Sequence, residues 1–380
     1  MKNSGKNKII LVSSIPDSLV LFRGNLIKSL INLNFEVHAL APNLTKSRYF
    51  LDKINSYGAI AHDIPLKSSL ISPVNDILLL IRLSKLFLQI KPDIVLSYNI
   101  KPVVFGTLVA RIFRVKKIYA IITGVGFYFT DQKNKSFKKI FIKKIITVLY
   151  KISFKILDKI FFQNIDDLNL FKKNFNISQK KSILINGSGV DVSYYKFSQL
   201  PKKMSFLMIS RLIKSKGIVE YLEAAKIIKS KYPLIKFHLV GYIDDNVDSI
   251  SRNLLEEFIQ KEIIVFYGKI NDVRQKIIDS KVYVLPSYRE GTPRSVLEAM
   301  SIGRPIISTD VPGCKETVFN EINGFKIRSK SVKDLVSAME KMINLPNDQL
   351  QKMGIQSRRI AETKFDDNII NRKIIQNINL

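Results

Sequence analysis

The chain has 380 residues, of which 46% are hydrophobic, and a formal net charge of +29 at pH 7. This length favours two domains with packed cores over a single one. The positive charge suits an anionic partner, either a membrane surface or a nucleic acid, although lysines spread over the whole chain also fit a compositional bias towards Lys, Ile and Asn. Cys314 is the only cysteine, which excludes an intramolecular disulfide and fits a reducing compartment.

The sequence holds no segment typical of export or of membrane spanning. The apolar run after Lys8 is too short for a signal peptide, and the runs Ile77–Leu83 and Ile145–Ile160 are interrupted by charge. No uninterrupted run approaches the ~18 apolar residues of a spanning helix. We therefore expect a cytoplasmic protein, either soluble or held at the inner face of a membrane.

Apolar strands and helical patterns alternate through the first half of the chain. The sequence predicts a loop over Ser14–Arg23, a helix over Asn25–Leu33 and another near Val103–Phe113. The predicted strands are Lys8–Ser13, Phe35–Ala41, Asp93–Ser97, Lys117–Ile122 and Lys180–Asn186. Continuous apolar strands that alternate with helices form right-handed crossovers, so this half is predicted to be a doubly wound α/β domain.

Polar residues and glycines follow several of these strands. Ligands of doubly wound sheets bind beyond the carboxyl ends of the strands, so these residues are candidates for ligand contact. They are Ser14, Arg23, Asn99, Thr123, Gly124 and Gly126. Arg23 fits a surface ion pair or a helix cap as well, and the two glycines fit an ordinary turn.

A lysine-rich helix is predicted over residues 131–162, with nine lysines among Ile, Phe, Leu and Tyr. Such a helix either lies in an anionic membrane interface or presents a solvated lysine face above a core-packing face, and the sequence leaves both open. The polar segment Val192–Lys203 is predicted to be the interdomain linker. The first domain is thus residues 1–195 and the second 196–364, and we expect the segment 365–380 to fold back onto the first domain.

The second half repeats the alternation of strands and helices. Helices are predicted over Ile218–Ser230, Asn271–Asp279 and Val332–Ile343. The predicted strands are Ser205–Ser210, Lys236–Val240, Ile263–Tyr267, Lys281–Leu285 and Pro305–Ser308. We therefore predict a second doubly wound parallel sheet.

The stretch from Pro286 to Gly303 predicts a ligand site at a helix N-terminus. Thr292 suits the N-cap, Pro293 the first helical position and Gly303 a C-terminal position of positive φ. The free N–H groups and the dipole of such a terminus favour an anion. Glu298 falls roughly 9 Å further along the helix axis, at about 1.5 Å per residue, where a carboxylate suits a sugar diol better than a phosphate. The spacing indicates a nucleotide diphosphate along the helix with its ribose at Glu298.

Two cations follow the first strand of the second half. Arg211 and Lys216 stand at its carboxyl end, where they either neutralise a diphosphate or belong to an ordinary surface loop. The first interpretation depends on the carboxylates Glu290 and Glu298 in the same sheet.

These motifs together resemble the retaining glycosyltransferases of family 4, which have the GT-B fold of two Rossmann-like domains facing a cleft. The resemblance covers almost all of the second domain, with four motifs in order. They are Arg211–Gly217, Leu239–Gly241, Phe266–Val273 and Leu285–Ile307, and the last contains the Glu290–Glu298 spacing. In the first domain, FRGNLIKSL and TGVGFYF are similar to bacterial enzymes that add an N-acetylhexosamine to a lipid-diphosphate-linked sugar.

The resemblance implies a role for each matching residue. Arg211 and Lys216 hold the donor diphosphate and Glu298 the ribose, while Glu290 contacts the donor sugar near its reacting carbon. Amides around Arg294, Ser295 and Val296, beside Thr292, complete the phosphate cradle, and the base lies near Lys269 and Ile270. The reaction retains the anomeric configuration and needs neither metal nor cofactor. The implied partners are a UDP-linked sugar, a lipid-linked saccharide and an anionic membrane surface.

One departure concerns a histidine that many members of the family place near the donor sugar. The corresponding stretch Ile122–Gly126 has none, and the three histidines, His38, His62 and His238, lie elsewhere. Contacts at the sugar are then expected from backbone or from Thr123. Alternative functions are a nucleotide-sugar epimerase, a glucan phosphorylase-like enzyme and, less well supported, a nucleic-acid-binding protein, for which no binding module is recognisable.

Overall fold

In a computed structural model, the structure describes residues 6–66, 72–124, 137–243 and 248–378. The chain divides into two compact units. Unit 1 comprises Met1–Ser188 together with Asn368–Leu380, and unit 2 comprises Gly189–Asp367. Each unit is built around one sheet of parallel strands.

The division falls after Ser188 rather than after residue 195, because the following segment already packs on unit 2. Val190 donates its N–H to Phe365 O at 2.8 Å. The predicted linker is likewise part of unit 2, since the fully buried guanidinium of Arg304 bonds the carbonyls of Ser198 and Gln199. The polar, irregular sequence of this segment suggested a linker. In the structure, hydrogen bonds from a buried arginine hold the segment against unit 2.

The sheet of unit 1 has seven parallel strands in the order β3-β2-β1-β4-β5-β6-β7. The strands are β1 (Lys8–Val12), β2 (Glu36–Ala41), β3 (Ile60–Asp63), β4 (Ile94–Tyr98), β5 (Lys117–Ile122), β6 (Lys159–Phe162) and β7 (Ser182–Leu184). Alternate residues of β1 serve opposite cores: Ile9 and Leu11 pack in one, Ile10 and Val12 in the other. Burial on both faces explains why this strand is a continuous apolar run.

Helices cover both faces of this sheet. They are α1 (Pro16–Asn32), α2 (Arg48–Ser56), α3 (Pro73–Ile90), a π-helical turn (Pro102–Gly106) that continues into α4 (Thr107–Ile112), α5 (Phe137–Ile156), α6 (Ile165–Phe175), a 3₁₀ turn (Gln179–Lys181) and α13 (Asp367–Asn377). Helices α1, α2 and α13 share one core, and α3 to α6 share the other. Ile370 and Ile374 of α13, and Ile378 directly after it, enter the core of unit 1.

Two predictions for unit 1 were wrong. The predicted loop Ser14–Arg23 lies mostly in α1, which begins at Pro16, a residue suited to a first helical turn. The predicted helix over 131–162 ends at Ile156, and Lys159–Phe162 is instead a strand between β5 and β7. Residues 131–136 lie outside the described residues.

The sheet of unit 2 has six parallel strands in the order β10-β9-β8-β11-β12-β13. They are β8 (Ser205–Ile209), β9 (Lys236–Val240), β10 (Val265–Phe266), β11 (Val282–Leu285), β12 (Ile306–Thr309) and β13 (Gly324–Ile327). The helical segments are a 3₁₀ turn (Lys214–Lys216), α7 (Ile218–Lys231), α8 (Arg252–Gln260), α9 (Arg274–Ile278), α10 (Arg294–Ile302), α11 (Val332–Asn344) and α12 (Asn347–Lys364). The prediction of two doubly wound α/β domains is thus confirmed. None of the helices within the described residues combines the length and the apolar content that a bilayer crossing requires.

Candidate functional site

The strand order of unit 2 reverses between β8 and β11, which are hydrogen-bonded neighbours. At such a switch point the loops after the two strands diverge and open a crevice for ligands. The loop after β8 carries Arg211 and the 3₁₀ turn with Lys216, and the loop after β11 carries Ser287 and Glu290. These four residues are far apart in the sequence, but they all follow the carboxyl ends of two adjacent strands.

Lys216 and Glu290 form an ion pair across this switch point. The Lys216 Nζ lies 2.5 Å from Glu290 Oε1, and Ser287 Oγ donates to the same oxygen at 2.8 Å. The side chains of Lys216 and Glu290 are 22% and 11% exposed. A partly buried cation held by a neighbouring carboxylate provides a positive charge at a fixed position.

The backbone around this pair is tightly constrained. Gly217 ends the 3₁₀ turn with φ +74°, and a Cβ there would lie 2.2 Å from Pro286 O. Glu290 N donates to Pro312 O at 3.0 Å, and a Cβ on Gly313 (φ +84°) would lie 2.3 Å from Glu290 O. Both glycines are therefore required by close backbone approach as well as by positive φ.

Helix α10 begins one residue later than predicted. Its N-cap is Pro293, which provides no side-chain cap, while Thr292 Oγ1 donates to Gly291 O at 2.8 Å. Val296 N donates to Pro293 O at 3.1 Å, a bond within the first turn of the helix. The amides of Arg294 and Ser295 precede Val296 in the first turn of α10. At the other end, Gly303 has the predicted positive φ, +90°.

Glu298 projects from α10 with one carboxylate oxygen engaged. Its Oε1 accepts from the Tyr195 hydroxyl at 2.9 Å and from Arg294 Nε at 3.2 Å. Burial raises the pKa of Glu298, and the Arg294 guanidinium and the Tyr195 hydroxyl oppose that rise. Within the described residues both of these donors bind Oε1 and neither binds Oε2.

Tyr195 is the contact that the sequence did not reveal. Tyr195 is 103 residues from Glu298 in the sequence and lies inside the segment that was predicted to be a linker. Arg294 Nη1 in turn donates to Gly189 O at 2.9 Å, which ties the chain just before that segment to α10. The only signal was an aromatic pair, Tyr194 and Tyr195, in otherwise polar sequence.

The remaining predicted residues of unit 2 lie on the loops at strand ends. Arg211 is exposed after β8. Lys269 follows β10, and its Nζ lies 5.2 Å from the centre of the Tyr242 ring, while Ile270 packs against the core. Cys314 is buried, and burial raises the pKa of its thiol to about 12, which favours the protonated thiol.

In unit 1 the structure brings only some of the predicted residues together. Asn99 after β4 (φ +71°) donates from Nδ2 to Thr123 Oγ1 at 3.1 Å, and Gly124 follows with φ +145°. Ser14 is half-buried after β1. The alternative of a surface role for Arg23 is wrong, because its side chain is buried with Cζ 5.5 Å from the Tyr98 ring centre. Gly126 lies outside the described residues.

Two family models match the chain in sequence order. The model described as Glycosyl transferase 4-like matches residues 8–164, and the model described as Glycosyl transferases group 1 matches residues 195–360. The solved structure of Anabaena HepE in complex with UDP and glucose resembles the chain with a TM-score of 0.77 at 16% identity, over 98% of this chain and 99% of that one. Fold and site together define a glycosyltransferase of the GT-B class.

Two curated glycosyltransferases are similar to most of the chain. The chain is 27% identical to the N,N'-diacetylbacillosaminyl-diphospho-undecaprenol alpha-1,3-N-acetylgalactosaminyltransferase of Campylobacter jejuni, with 97% of each chain covered. It is 28% identical to the UDP-Gal:alpha-D-GlcNAc-diphosphoundecaprenol alpha-1,3-galactosyltransferase of Escherichia coli, with 72% of this chain and 74% of the relative covered. The chain belongs to the family 4-type glycosyltransferases, as its motifs predicted.

Proposed function

We propose that this glycosyltransferase moves an N-acetylhexosamine or a hexose from a UDP-sugar to a saccharide linked to a lipid diphosphate, with retention at the anomeric carbon. The observation that carries the proposal is the Lys216–Glu290 ion pair at the switch point of unit 2. Glu298 lies on α10, the helix that follows the loop of Glu290, and is held there by Arg294. The names of the Campylobacter and Escherichia relatives support the lipid-diphosphate acceptor. The product belongs to the assembly of a surface polysaccharide or glycan.

In this proposal the donor lies along α10. Arg211 and Lys216 bind the diphosphate together with the first amides of the helix, and the positive end of the helix dipole adds to their charge. The ribose hydroxyls donate to Glu298 Oε2. The base lies beside Lys269 and Ile270, and Glu290 receives a hydroxyl of the donor sugar.

Transfer then proceeds on one face of the sugar. The bond from the anomeric carbon to the diphosphate oxygen breaks, an acceptor hydroxyl oxygen bonds to that carbon on the same face, and its proton passes to the departing diphosphate. Charge accumulates on the leaving group, so preorganised cations lower the barrier most. Because Arg211, Lys216 and the helix terminus supply that charge, we propose that no metal ion is required.

The acceptor side is proposed to lie at the carboxyl edge of the sheet of unit 1. Asn99 and Thr123 are hydrogen-bonded there and offer a hydroxyl and an amide to a saccharide. A lipid-diphosphate acceptor places the reaction at a membrane, so we propose that the enzyme works at the cytoplasmic face of that membrane.

The proposal is tested by incubating the purified chain with labelled UDP-sugars and a polyisoprenyl-diphosphate-linked saccharide. A thermal-shift screen of UDP-, GDP- and ADP-sugars first selects the donor, because a bound ligand stabilises the folded state. We expect a lipid-linked product whose formation is strongly reduced by Glu290→Ala and by Glu298→Ala. Undiminished transfer by both variants would refute the site. Turnover of the UDP-sugar without any acceptor would identify an epimerase instead.

A further inference from the structure

Helix α3 of unit 1 is apolar on two opposite sides. Its inward side buries Leu79, Leu83 and Phe87 in the core. With 3.6 residues per turn, five further large apolar residues fall on a second stripe about 100° wide on the opposite side. They are exposed despite their size: Val74 by 70%, Ile77 by 58%, Leu78 by 47%, Ile81 by 49% and Leu88 by 63%. We call these five residues the α3 stripe.

Helix α5 covers the same face of the sheet as α3. It packs Tyr150 and Phe154 into the core that α3 also enters, and both helices contact the π-helical turn that precedes α4. Its opposite side alternates lysines with exposed apolar residues. We call this set the α5 face: Lys144, Val148, Lys151, Ile152 and Lys155.

The charge around these two surfaces is positive. The sequence of α5 contains no Asp or Glu. The one acidic residue of α3, Asp76, lies 2.6 Å from Lys101 Nζ, and both side chains are largely buried. Exposed cations at Lys85, Arg111 and Arg114 add to the lysines of α5. An exposed apolar stripe is therefore bordered by cations.

We propose that the α3 stripe and the α5 face form a docking surface for an anionic lipid bilayer. The apolar side chains enter the boundary between headgroups and acyl chains, while the lysines extend along it to lipid phosphates. A second copy of the chain would also cover apolar residues, but it would bring two positively charged faces together. The proposal rests on this surface and not on the acceptor chemistry proposed above.

Flotation of the full-length chain with lipid vesicles tests this surface. We expect binding to vesicles of phosphatidylethanolamine and phosphatidylglycerol, weaker binding to phosphatidylcholine alone, and loss of binding as salt increases. Ile77→Glu with Ile81→Glu should reduce binding by at least about tenfold through lost apolar burial. Lys151→Glu with Lys155→Glu should reduce it by about tenfold or more through lost attraction to phosphates.

Matched controls lie on unit 2. Leu234→Glu alters an apolar residue that is 94% exposed, and Lys226→Glu with Lys333→Glu makes the same change in net charge as the α5 variant. Both controls should bind as the wild type does. If the double α3 variant does not fold, as judged by circular dichroism, Leu88→Glu replaces it.

Three outcomes would overturn the inference. The first is equal binding of the wild type to neutral and anionic vesicles. The second is unchanged binding by the α3 and α5 variants. The third is a wild-type dimer that the Ile77→Glu with Ile81→Glu variant dissociates, while its flotation stays the same. Transfer to a detergent-dispersed acceptor should survive the α3 substitutions. Failure of the wild type in that transfer assay would refute the proposed function and leave the flotation result standing.

Discussion

At the scale of single residues, Glu298 depends on two donors that hold one of its oxygens. Tyr195 and Arg294 orient a carboxylate whose burial favours the neutral form. A hydrogen bond to a charged group is worth about 1.5–3 kcal/mol. Tyr195 is accordingly a positioning residue for the proposed ribose site.

We predict that Tyr195→Phe raises the KM for the UDP-sugar by roughly tenfold or more, the equivalent of that bond, with a smaller effect on kcat. Steady-state kinetics with the donor varied measures both values. Tyr194→Phe is the control, since its ring centre lies 3.9 Å from Arg274 Cζ and the two donors to Glu298 are Tyr195 and Arg294. An unchanged KM in Tyr195→Phe would show that the contact does not serve donor binding.

At the scale of elements, the loops after the strands of unit 2 depend on glycine for two separate reasons. Gly217 and Gly268 have similar positive φ angles, +74° and +68°. A Cβ on Gly217 would meet Pro286 O at 2.2 Å, whereas a Cβ on Gly268 meets nothing within 4 Å. Substituting each glycine by alanine therefore separates the free-energy cost of a left-handed backbone from that of a steric clash.

We predict that Gly268→Ala lowers the stability of unit 2 by about 1–2 kcal/mol, the cost of the left-handed conformation. Gly217→Ala should cost more and should also weaken UDP binding, because the clash displaces Lys216 from Glu290. Denaturant unfolding and titration with UDP measure the two effects. Equal effects of the two substitutions would contradict the importance of the close approach.

A hydrogen-bonded chain of Glu36, His38 and His62 joins β2 and β3. His38 lies 2.9 Å from each of the other two side chains. Burial lowers the pKa of both histidines, that of His62 to about 4, and the charges of His38 and Arg82 lower it further while Asp63 opposes them. The unfolded chain therefore binds more protons than the folded one between about pH 6.5, the ordinary histidine pKa, and about pH 4.

Stability that these histidines confer is fully present above about pH 6.5 and is lost as the pH falls towards 4. We predict that the melting temperature of unit 1 decreases over this window and that His62→Gln reduces the slope. Thermal melts monitored by circular dichroism across the window provide the measurement. A slope identical in His62→Gln and the wild type would exclude this cluster as its cause.

The sequence predicted most strands because continuous apolar runs between turns are unambiguous; β5 and β9 have the predicted bounds. It failed at Lys159–Phe162, where a short apolar run after a helix continues the helical pattern and only pairing with β5 and β7 makes it a strand. Motif spacing predicted a site at Lys216, Glu290 and Glu298, and the structure pairs the first two. The Tyr195–Glu298 contact was not predictable, because residues so distant in sequence meet only through the packing of unit 2.

At the scale of the whole molecule, the chain ends in the unit in which it begins. Helix α13 returns to unit 1, where Ile370, Ile374 and the following Ile378 are buried. Full burial of such a side chain contributes about 1.5–3 kcal/mol, so the three together approach the entire stability of an ordinary domain. Unit 2 has a core of its own that does not include α13.

We predict that truncation after Asp367 unfolds unit 1 and leaves unit 2 folded and able to bind UDP. Differential scanning calorimetry with and without UDP should show one remaining transition, shifted upward by the ligand. Loss of the ligand-shifted transition would contradict the independence of the two cores. Retention of both transitions would contradict the contribution of α13.

The most direct test of the central claim is the kcat/KM for sugar transfer by variants of the loop after β8. Lys214 and Lys216 stand in the same 3₁₀ turn, but only Lys216 pairs with Glu290. We predict that Lys216→Ala and Arg211→Ala each lose about 2–4 kcal/mol of transition-state stabilisation, on the order of 10²-fold or more in kcat/KM. Lys214→Ala should retain nearly full activity. Equal activity of Lys216→Ala and Lys214→Ala would contradict a donor diphosphate at this switch point.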